Sequence, residues 1–291
     1  MKTMQKKWTV KELIKVTTDY LNKKSIDEPR LTTEILLAYS LNIKRVSLYL
    51  NFDQPLTDKE LSIFREYIRR RIAHEPVQYI TGKTGFMGLD LETKKEVFIP
   101  RQETEILVWE VKKWIDGNVS RELVLFEIGT GTGAIAIFFA KTFENVKIYA
   151  SDISEAAIEC AKTNIINNHL DEKIFLLTGQ VFEPFKEKEK ADVLISNPPY
   201  IPSSEIDKLP EIVKQEPREA LDGGDDGLKF IKRIIHEAND FLKPQSFIAL
   251  EIGINQAESV KQLFEKEKSY KNVRIIPDLR GIKRVATAEK L

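Results

Sequence analysis

From residue 122 onward the sequence alternates short apolar runs with longer amphipathic stretches, and no other feature restricts the fold as much. Leu123-Val124-Leu125-Phe126-Glu127-Ile128 is almost continuously apolar, as a strand covered on both faces must be. A helix opens over 134–140, a strand follows over 146–150, and Ser154 caps a helix reaching about Asn167. Strands are expected at 173–177 and 192–195, then a helix over 228–241, a strand over 247–252 and a helix over about 256–267. Short strands at 273–276 and 284–287 close the chain. Strand–helix–strand connections join parallel strands, so the spacing predicts a mainly parallel sheet with helices on both faces, a Rossmann-like α/β domain.

The first 82 residues have a different period. Thr9 with Glu12 and Thr57 with Glu60 have the spacing of capping boxes, each before a helical stripe of apolar residues. Helices are expected over 8–23, from Asp27 and Pro29 to about Leu41, over 45–50, and from Thr57 with Leu61, Phe64, Ile68 and Ile72 inward. Arg69, Arg70 and Arg71 sit where the last helix's dipole favours cations. Residues 76–100 carry Gly82, Gly85 and Gly88 and an alternating run, Leu89 to Thr93, which reads as a hairpin linking two domains. A helix then runs from Glu103 to about Ile115, ending near Gly117.

Composition narrows the function. The chain has 45 basic and 45 acidic residues, but residues 1–80 carry a net +5, leaving −5 on the rest. That asymmetry hints at an anionic partner surface, although it is far from the profile of a dedicated nucleic-acid binder. No apolar run approaches the roughly 20 residues of a membrane span, and the N-terminus lacks a signal peptide's apolar core. Cys160 is the only cysteine, so no disulfide can form within the chain, and a cytosolic location fits. Cys160 reads as a small buried apolar residue. His74, His169 and His236 have no ligand spacing, so no metal site is expected.

Two motifs carry chemistry. Gly129-Thr130-Gly131-Thr132-Gly133 joins the first strand of the α/β region to its helix, where glycines let a ligand approach the backbone near a helix N-terminus. Asp152 ends the next strand, 19 residues past Gly133, the distance at which a carboxylate accepts ribose hydroxyls. This pair fits NAD and S-adenosylmethionine equally. The second motif, Asn197-Pro198-Pro199-Tyr200, ends the strand over 192–195. Neither proline can extend a ladder, and Pro198 forces Asn197 out of the helical region. The resulting stiff turn presents a carboxamide, proline carbonyls and an aromatic ring at the carboxyl edge of the sheet. Asn197 Oδ1 and the Pro198 carbonyl can each accept one hydrogen of a planar –NH₂ group while Tyr200 covers its face. A dehydrogenase has no need of this device, whereas a methyltransferase acting on a planar –NH₂ group does.

These segments resemble the bacterial PrmC/HemK family, the release factor glutamine N5-methyltransferases, over nearly the whole chain. The resemblance rests on Arg70-Arg71 with Glu75-Pro76-Val77-Gln78-Tyr79-Ile80-Thr81-Gly82, on Phe98-Ile99-Pro100-Arg101-Gln102-Glu103-Thr104-Glu105, and on the two motifs above. It continues through Glu216-Pro217-Arg218-Glu219-Ala220-Leu221, Glu251-Ile252-Gly253, and Gly281 with Arg284-Val285. It implies a class I S-adenosylmethionine-dependent methyltransferase domain over 101–291. A β-hairpin linker over 83–100 and an N-terminal helical substrate-recognition domain over 1–82 precede it. The activity implied is methyl transfer from S-adenosylmethionine to the glutamine side-chain amide in the Gly-Gly-Gln motif of peptide chain release factors. That activity supports translation termination, and a cytoplasmic monomer is expected. Implied cofactor contacts are Gly129, Thr130, Gly131, Thr132, Gly133, Asp152, Gln180, Val181 and Asn197. Implied substrate contacts are Phe98, Asn197, Pro198, Pro199 and Tyr200, of which Asn197, Pro198 and Tyr200 carry catalysis.

This sequence has Gly179-Gln180-Val181-Phe182 where the family often has Gly-Asp-x-Phe, so Gln180 is expected to accept from the adenine amino group without a charge. Gln102 replaces a usual proline, a mild change. Arg101 with Glu103 also reads as a surface ion pair, Glu216-Pro217 as a loop boundary and Glu251 as an edge charge. The competing function is an adenine-N6 methyltransferase acting on DNA or RNA, which shares Asn-Pro-Pro-Tyr but needs a basic, aromatic face to flip a base. A third reading is a non-enzymatic interaction protein that kept its glycine loop. Intact Asp152 and Asn197 speak against it.

Overall fold

A computed structural model describes residues 7–118 and 122–291. The first six residues, part of the stretch without a leader's apolar core, lie outside the described residues, as do residues 119–121. The chain forms two compact units that meet at the Gly82/Lys83 bond. Among the described residues no helix is long and apolar enough to cross a membrane.

The first unit is helical: α1 (Val10–Lys23), α2 (Pro29–Ser40), α3 (Arg45–Leu50), α4 (Asp58–Ile72) and α5 (Val77–Thr81). Both capping boxes form, with Thr9 and Thr57 each accepting from the third helical N–H while the glutamate there reaches back. Val10, Ile14, Leu21, Leu36, Leu37, Leu48, Phe64 and Ile68 share one core. Two expectations change. The N-cap of α2 is Glu28 in a left-handed conformation, not Asp27, and Pro29 is the first helical residue, where its missing N–H is harmless. Residues 77–81, read as part of the hairpin, form α5, whose C-cap is Gly82 at φ 68°.

The second unit begins with the hairpin β1 (Lys83–Phe86) and β2 (Leu89–Glu92), then α6 (Glu103–Asn118), three residues longer than expected. The alternation follows: β3 (Leu123–Ile128), α7 (Ala134–Thr142), β4 (Val146–Asp152), α8 (Glu155–Asn167), β5 (Ile174–Thr178) and β6 (Ala191–Ser196). Next come α9 (Lys229–Phe241), β7 (Leu242–Glu251), α10 (Ala257–Lys266), β8 (Tyr270–Pro277) and β9 (Lys283–Lys290). Strand order is β5-β4-β3-β6-β7-β9-β8, parallel except for β9, which is antiparallel to both neighbours. The last two strands run well beyond the apolar cores visible in sequence.

Period two sorts each central strand between two cores. Leu123 and Leu125, Val193 and Ile195, and Phe247 and Ala249 face α6, α7 and α8. Val124 and Phe126, Leu194, and Ile248 and Leu250 face α9 and α10. Burying each large apolar side chain there stabilises the unit by about 1.5–3 kcal/mol. The chain runs outward from β3 to β4 and β5, then crosses back to pair β6 with the other edge of β3. This reversal opens a crevice at the carboxyl ends of β3 and β6, where open α/β sheets bind ligands.

The capping box of α4 is solvent-exposed and uncoupled from the core. Thr57→Ala is expected to destabilise the helical unit by about 1 kcal/mol, and Thr57→Ser by much less. Amide hydrogen exchange along α4 measures both.

Candidate active site

The crevice holds a cavity of about 950 Å³, lined entirely from the second unit. Its wall includes Phe98, Gly129 to Thr132, Asp152, Gln180, Val181 and Asn197 to Tyr200. Every cofactor and substrate contact implied from sequence lines it except Gly133, the N-cap of α7, where a Cβ would stand 3.2 Å from the Ala161 Cβ.

Gly129 leaves β3 at φ 77°, and a Cβ there would stand 3.7 Å from the Asn197 carbonyl oxygen. The glycine loop and the Asn-Pro-Pro-Tyr turn are therefore neighbours because their strands are paired: Ile128 lies opposite Ser196, whose hydroxyl donates to the Ile128 carbonyl at 2.8 Å. The turn is backed by residues 221–223. Ile201 N donates to the Leu221 carbonyl at 3.0 Å and Gly223 N to the Ile201 carbonyl at 2.8 Å. A Cβ on Gly223 would lie 2.8 Å from the Pro199 oxygen, so only glycine fits.

Asn197 is held by a chain of hydrogen bonds. Its Nδ2 donates to Thr104 Oγ1 at 3.1 Å, and Thr104 Oγ1 donates to Glu251 Oε2 at 2.6 Å. Tyr200 OH donates to Glu251 Oε1 at 3.1 Å. Glu251 is buried at the end of β7, which pushes its carboxyl up to about 7 against the pull of Thr104, Tyr200 and Arg284. Burial and the neighbouring Glu251 raise the Tyr200 phenol as well. Glu251 is thus no edge charge, and the Asn197 NH₂ donates within the protein, to Thr104.

A second buried glutamate ties two loops. Glu216 Oε2 accepts from Ile99 N at 3.1 Å, while Glu216 Oε1 pairs with Arg101. Arg101 in turn lies over the Phe98 ring, 5.1 Å from its centroid. Burial raises the Glu216 carboxyl and Arg101 opposes this. Arg101 pairs with Glu216 rather than Glu103, and Glu216 is more than a loop boundary. This clasp fixes Phe98 at the cavity wall.

On the opposite side, Asp152 Oδ2 accepts from Gly131 N at 2.9 Å and Oδ1 from Ser154 N at 3.0 Å. Burial raises its carboxyl despite those two N–H groups. Glu127, at the end of β3, also lines the cavity; Oε2 accepts from Thr130 Oγ1 at 2.9 Å and Ala136 N at 3.1 Å. Its Oε1 is buried with no partner among the described residues. Burial drives this carboxyl up to about 8.

Gln180 lines the cavity with its amide oriented by a distant arginine. Its Oε1 accepts from Arg233 Nη1 at 2.8 Å, and Arg233 Nε donates to Glu237 at 2.5 Å. Arginine cannot accept, so this contact sets the amide orientation and leaves the oxygen one further lone pair. Thr104, Glu127, Arg233 and the pairing partners of Glu216 and Glu251 escaped sequence reasoning, because their contacts span 51 to 147 residues or sit at unremarkable positions. The one available signal was the Arg101 to Glu105 segment, which contains Thr104.

Comparison with known proteins matches residues 12–82 to the PrmC N-terminal domain and residues 102–226 to the methyltransferase small domain. The chain is 38% identical over 260 residues to the release factor glutamine methyltransferase of Geobacter sulfurreducens, covering 89% of each chain. It is 37% identical over 286 residues to the protein of that name from Rhodopirellula baltica, covering 97% of each. Among solved structures, a methyltransferase from Pyrococcus furiosus shares the fold with a TM-score of 0.51 at 22% identity, over 71% of this chain and 91% of that one.

The buried Glu127 makes stability depend on pH in a defined direction. Its ordinary value is 4.5 and its folded value about 8, so the folded chain holds an extra proton between the two. The stability this group contributes is fully present below its ordinary value and is lost as pH rises through the folded one. Glu127→Gln removes the titration and is expected to gain stability relative to the parent between about pH 5 and about pH 9. Urea unfolding of both proteins across that range provides the measurement.

Proposed function

The chain belongs to the release factor glutamine methyltransferase family, and on that premise we propose that it methylates the side-chain amide nitrogen of the Gly-Gly-Gln glutamine in peptide chain release factors. S-Adenosylmethionine is the proposed methyl donor and translation termination in the cytoplasm the process served, with the protein acting as a monomer. The observation that carries the reading is the convergence of the glycine loop and the Asn197 turn on one cavity at the sheet's switch point.

The donor set suits S-adenosylmethionine. Each Asp152 oxygen makes one backbone contact and retains a lone pair for a ribose hydroxyl. The unpartnered Glu127 Oε1 becomes an acceptor for an ammonium group once the carboxyl gives up its proton. The Gln180 amide, oriented by Arg233, keeps a second oxygen lone pair and its NH₂ for the adenine edge. When bound, S-adenosylmethionine supplies an electrophilic sulfonium methyl.

The protein's task is to make a poor nucleophile reactive. A carboxamide nitrogen delocalises its lone pair. Asn197 Oδ1 and the Pro198 carbonyl accept its two hydrogens, hold it in line with the methyl and stabilise the positive charge that grows on it. Tyr200 and Pro199 cover the amide plane, and Phe98, steadied by Arg101, walls the glutamine side chain. No strong base is needed before transfer, since the extra proton leaves afterwards. The first unit, with its net positive charge, is proposed to recognise the release factor.

Tandem mass spectrometry of a release factor after incubation with labelled S-adenosylmethionine tests the assignment. Label on the Gly-Gly-Gln glutamine is expected; label on adenine in added DNA or RNA instead would establish the competing function. Asn197→Ala is expected to lose about 2.7–4 kcal/mol of transition-state stabilisation in single-turnover transfer, by analogy with removal of one preorganised polar group. Asn197→Asp recovers only part, because it cannot donate to Thr104 and would compete with Glu251 for the single Thr104 hydrogen. For Asp152→Ala, calorimetry should show cofactor binding weakened by about 1.5–3 kcal/mol.

A further inference from the structure

We propose that Glu251 is a positioning residue for methyl transfer, acting through Thr104 to hold the Asn197 carboxamide oxygen-first toward the cavity and acting directly on Tyr200. The inference rests on the proposed reaction and deepens it.

Thr104 has a single hydroxyl hydrogen, and its 2.6 Å contact with Glu251 Oε2 takes it. A carboxylate has nothing to donate, so Thr104 Oγ1 is left only as an acceptor toward Asn197. Asn197 must therefore offer Nδ2, which lies 3.1 Å away, and its oxygen is turned from Thr104. The other Glu251 oxygen takes the Tyr200 hydroxyl hydrogen at 3.1 Å. A single buried carboxylate thus sets the hydrogen-bond direction at two residues of the Asn197 turn, and it does so only while both oxygens accept.

The surroundings of Glu251 make its ionisation responsive. Thr104 and Glu103 face it from α6, Tyr200 from the turn after β6 and Arg284 from β9. Arg284 is shared with Asp278, 3.7 Å away, and its Nε is buried without a hydrogen bond. Burial and Glu103 favour the neutral carboxyl, while Arg284 and the two hydroxyl donors favour the carboxylate, a balance that places the group at about 7. A neutral carboxyl must donate from one oxygen. If it donates to Thr104, the threonine reverses and turns the Asn197 amide nitrogen-first. If it donates to Tyr200, that bond reverses, loses its charge assistance and frees the phenol hydrogen toward the turn. Either state is poorer for transfer, so the rate rises with pH as Glu251 ionises.

The test is single-turnover methyl transfer to a release factor from about pH 5.5 to about pH 9, with the full-length chain saturated in S-adenosylmethionine. The wild-type rate is expected to rise through the ionisation of Glu251. Glu251→Gln offers one oxygen and one NH₂ and cannot titrate, so it should be slower by roughly tenfold at high pH and lack the rise. Cofactor affinity by calorimetry and the circular dichroism spectrum should be unchanged. Thr104→Val is expected to reproduce the loss, while Thr104→Ser, which keeps the hydroxyl, should restore most of the rate; this pair decides the matter even if Glu251→Gln folds poorly. Glu251→Gln at the wild-type rate, a slowed Glu251→Gln with the same rise, or Thr104→Val as fast as Thr104→Ser would overturn the inference alone. A folded wild-type chain that transfers no methyl to the release factor would overturn the functional reading and this inference with it.

Discussion

The parallel pairing of β3 with β6 is the constraint on which the rest of the site depends. Ile128 stands opposite Ser196, so the two strands end together and their next residues, Gly129 and Asn197, emerge side by side. A slip of one residue would exchange the faces of β6, moving Val193 and Ile195 out of the core they share with α7. Apolar packing on both faces therefore fixes the register, and the register fixes the distance between the glycine loop and the Asn-Pro-Pro-Tyr turn. The hydrophobic core, which has no part in the proposed chemistry, is what aligns the groups that do.

Around that edge the protein buries three glutamates, each used differently. Glu216 is the end of a clasp that fixes Phe98 and Arg101. Glu251 directs two hydroxyl hydrogens. Glu127 supports the glycine loop through Thr130 and the start of α7 through Ala136 N, and keeps one oxygen without a partner. Burial of a carboxylate is costly unless its charge is answered by donors or a cation. Glu216 has both, Glu251 has donors and the nearby Arg284, and Glu127 has donors at only one oxygen. The order of their answers suits the proposed reaction, in which the least compensated glutamate lies where a cationic cofactor group would bind.

Much of this was legible in the sequence where the cause is local. The capping boxes at Thr9 and Thr57 form as their spacing implies, and the apolar runs of β3 and β6 become strands buried on both faces. The prolines after Asn197 end β6 as their missing N–H groups require. Pairings with distant partners were not legible. Nothing near Gln180 announces Arg233, 53 residues later, and nothing near Thr104 announces Glu251, 147 residues later. The short α5 was hidden because Val77 to Thr81 sits between a proline and a glycine, a context that suits a turn as well as a helix. Both ends of β8 and β9 reach past their apolar cores because ladder hydrogen bonds extend through polar residues that period and hydropathy do not mark.

The central claim is that the fold delivers an Asn197 oxygen and a Pro198 carbonyl to a substrate amide. A crystal structure with S-adenosylhomocysteine and a release-factor fragment carrying Gly-Gly-Gln tests it most directly. The account predicts the glutamine nitrogen at about 3 Å from both Asn197 Oδ1 and the Pro198 oxygen, with Asn197 Nδ2 still on Thr104. A glutamine side chain bound elsewhere in the cavity, or an Asn197 that meets it with Nδ2, would contradict the account.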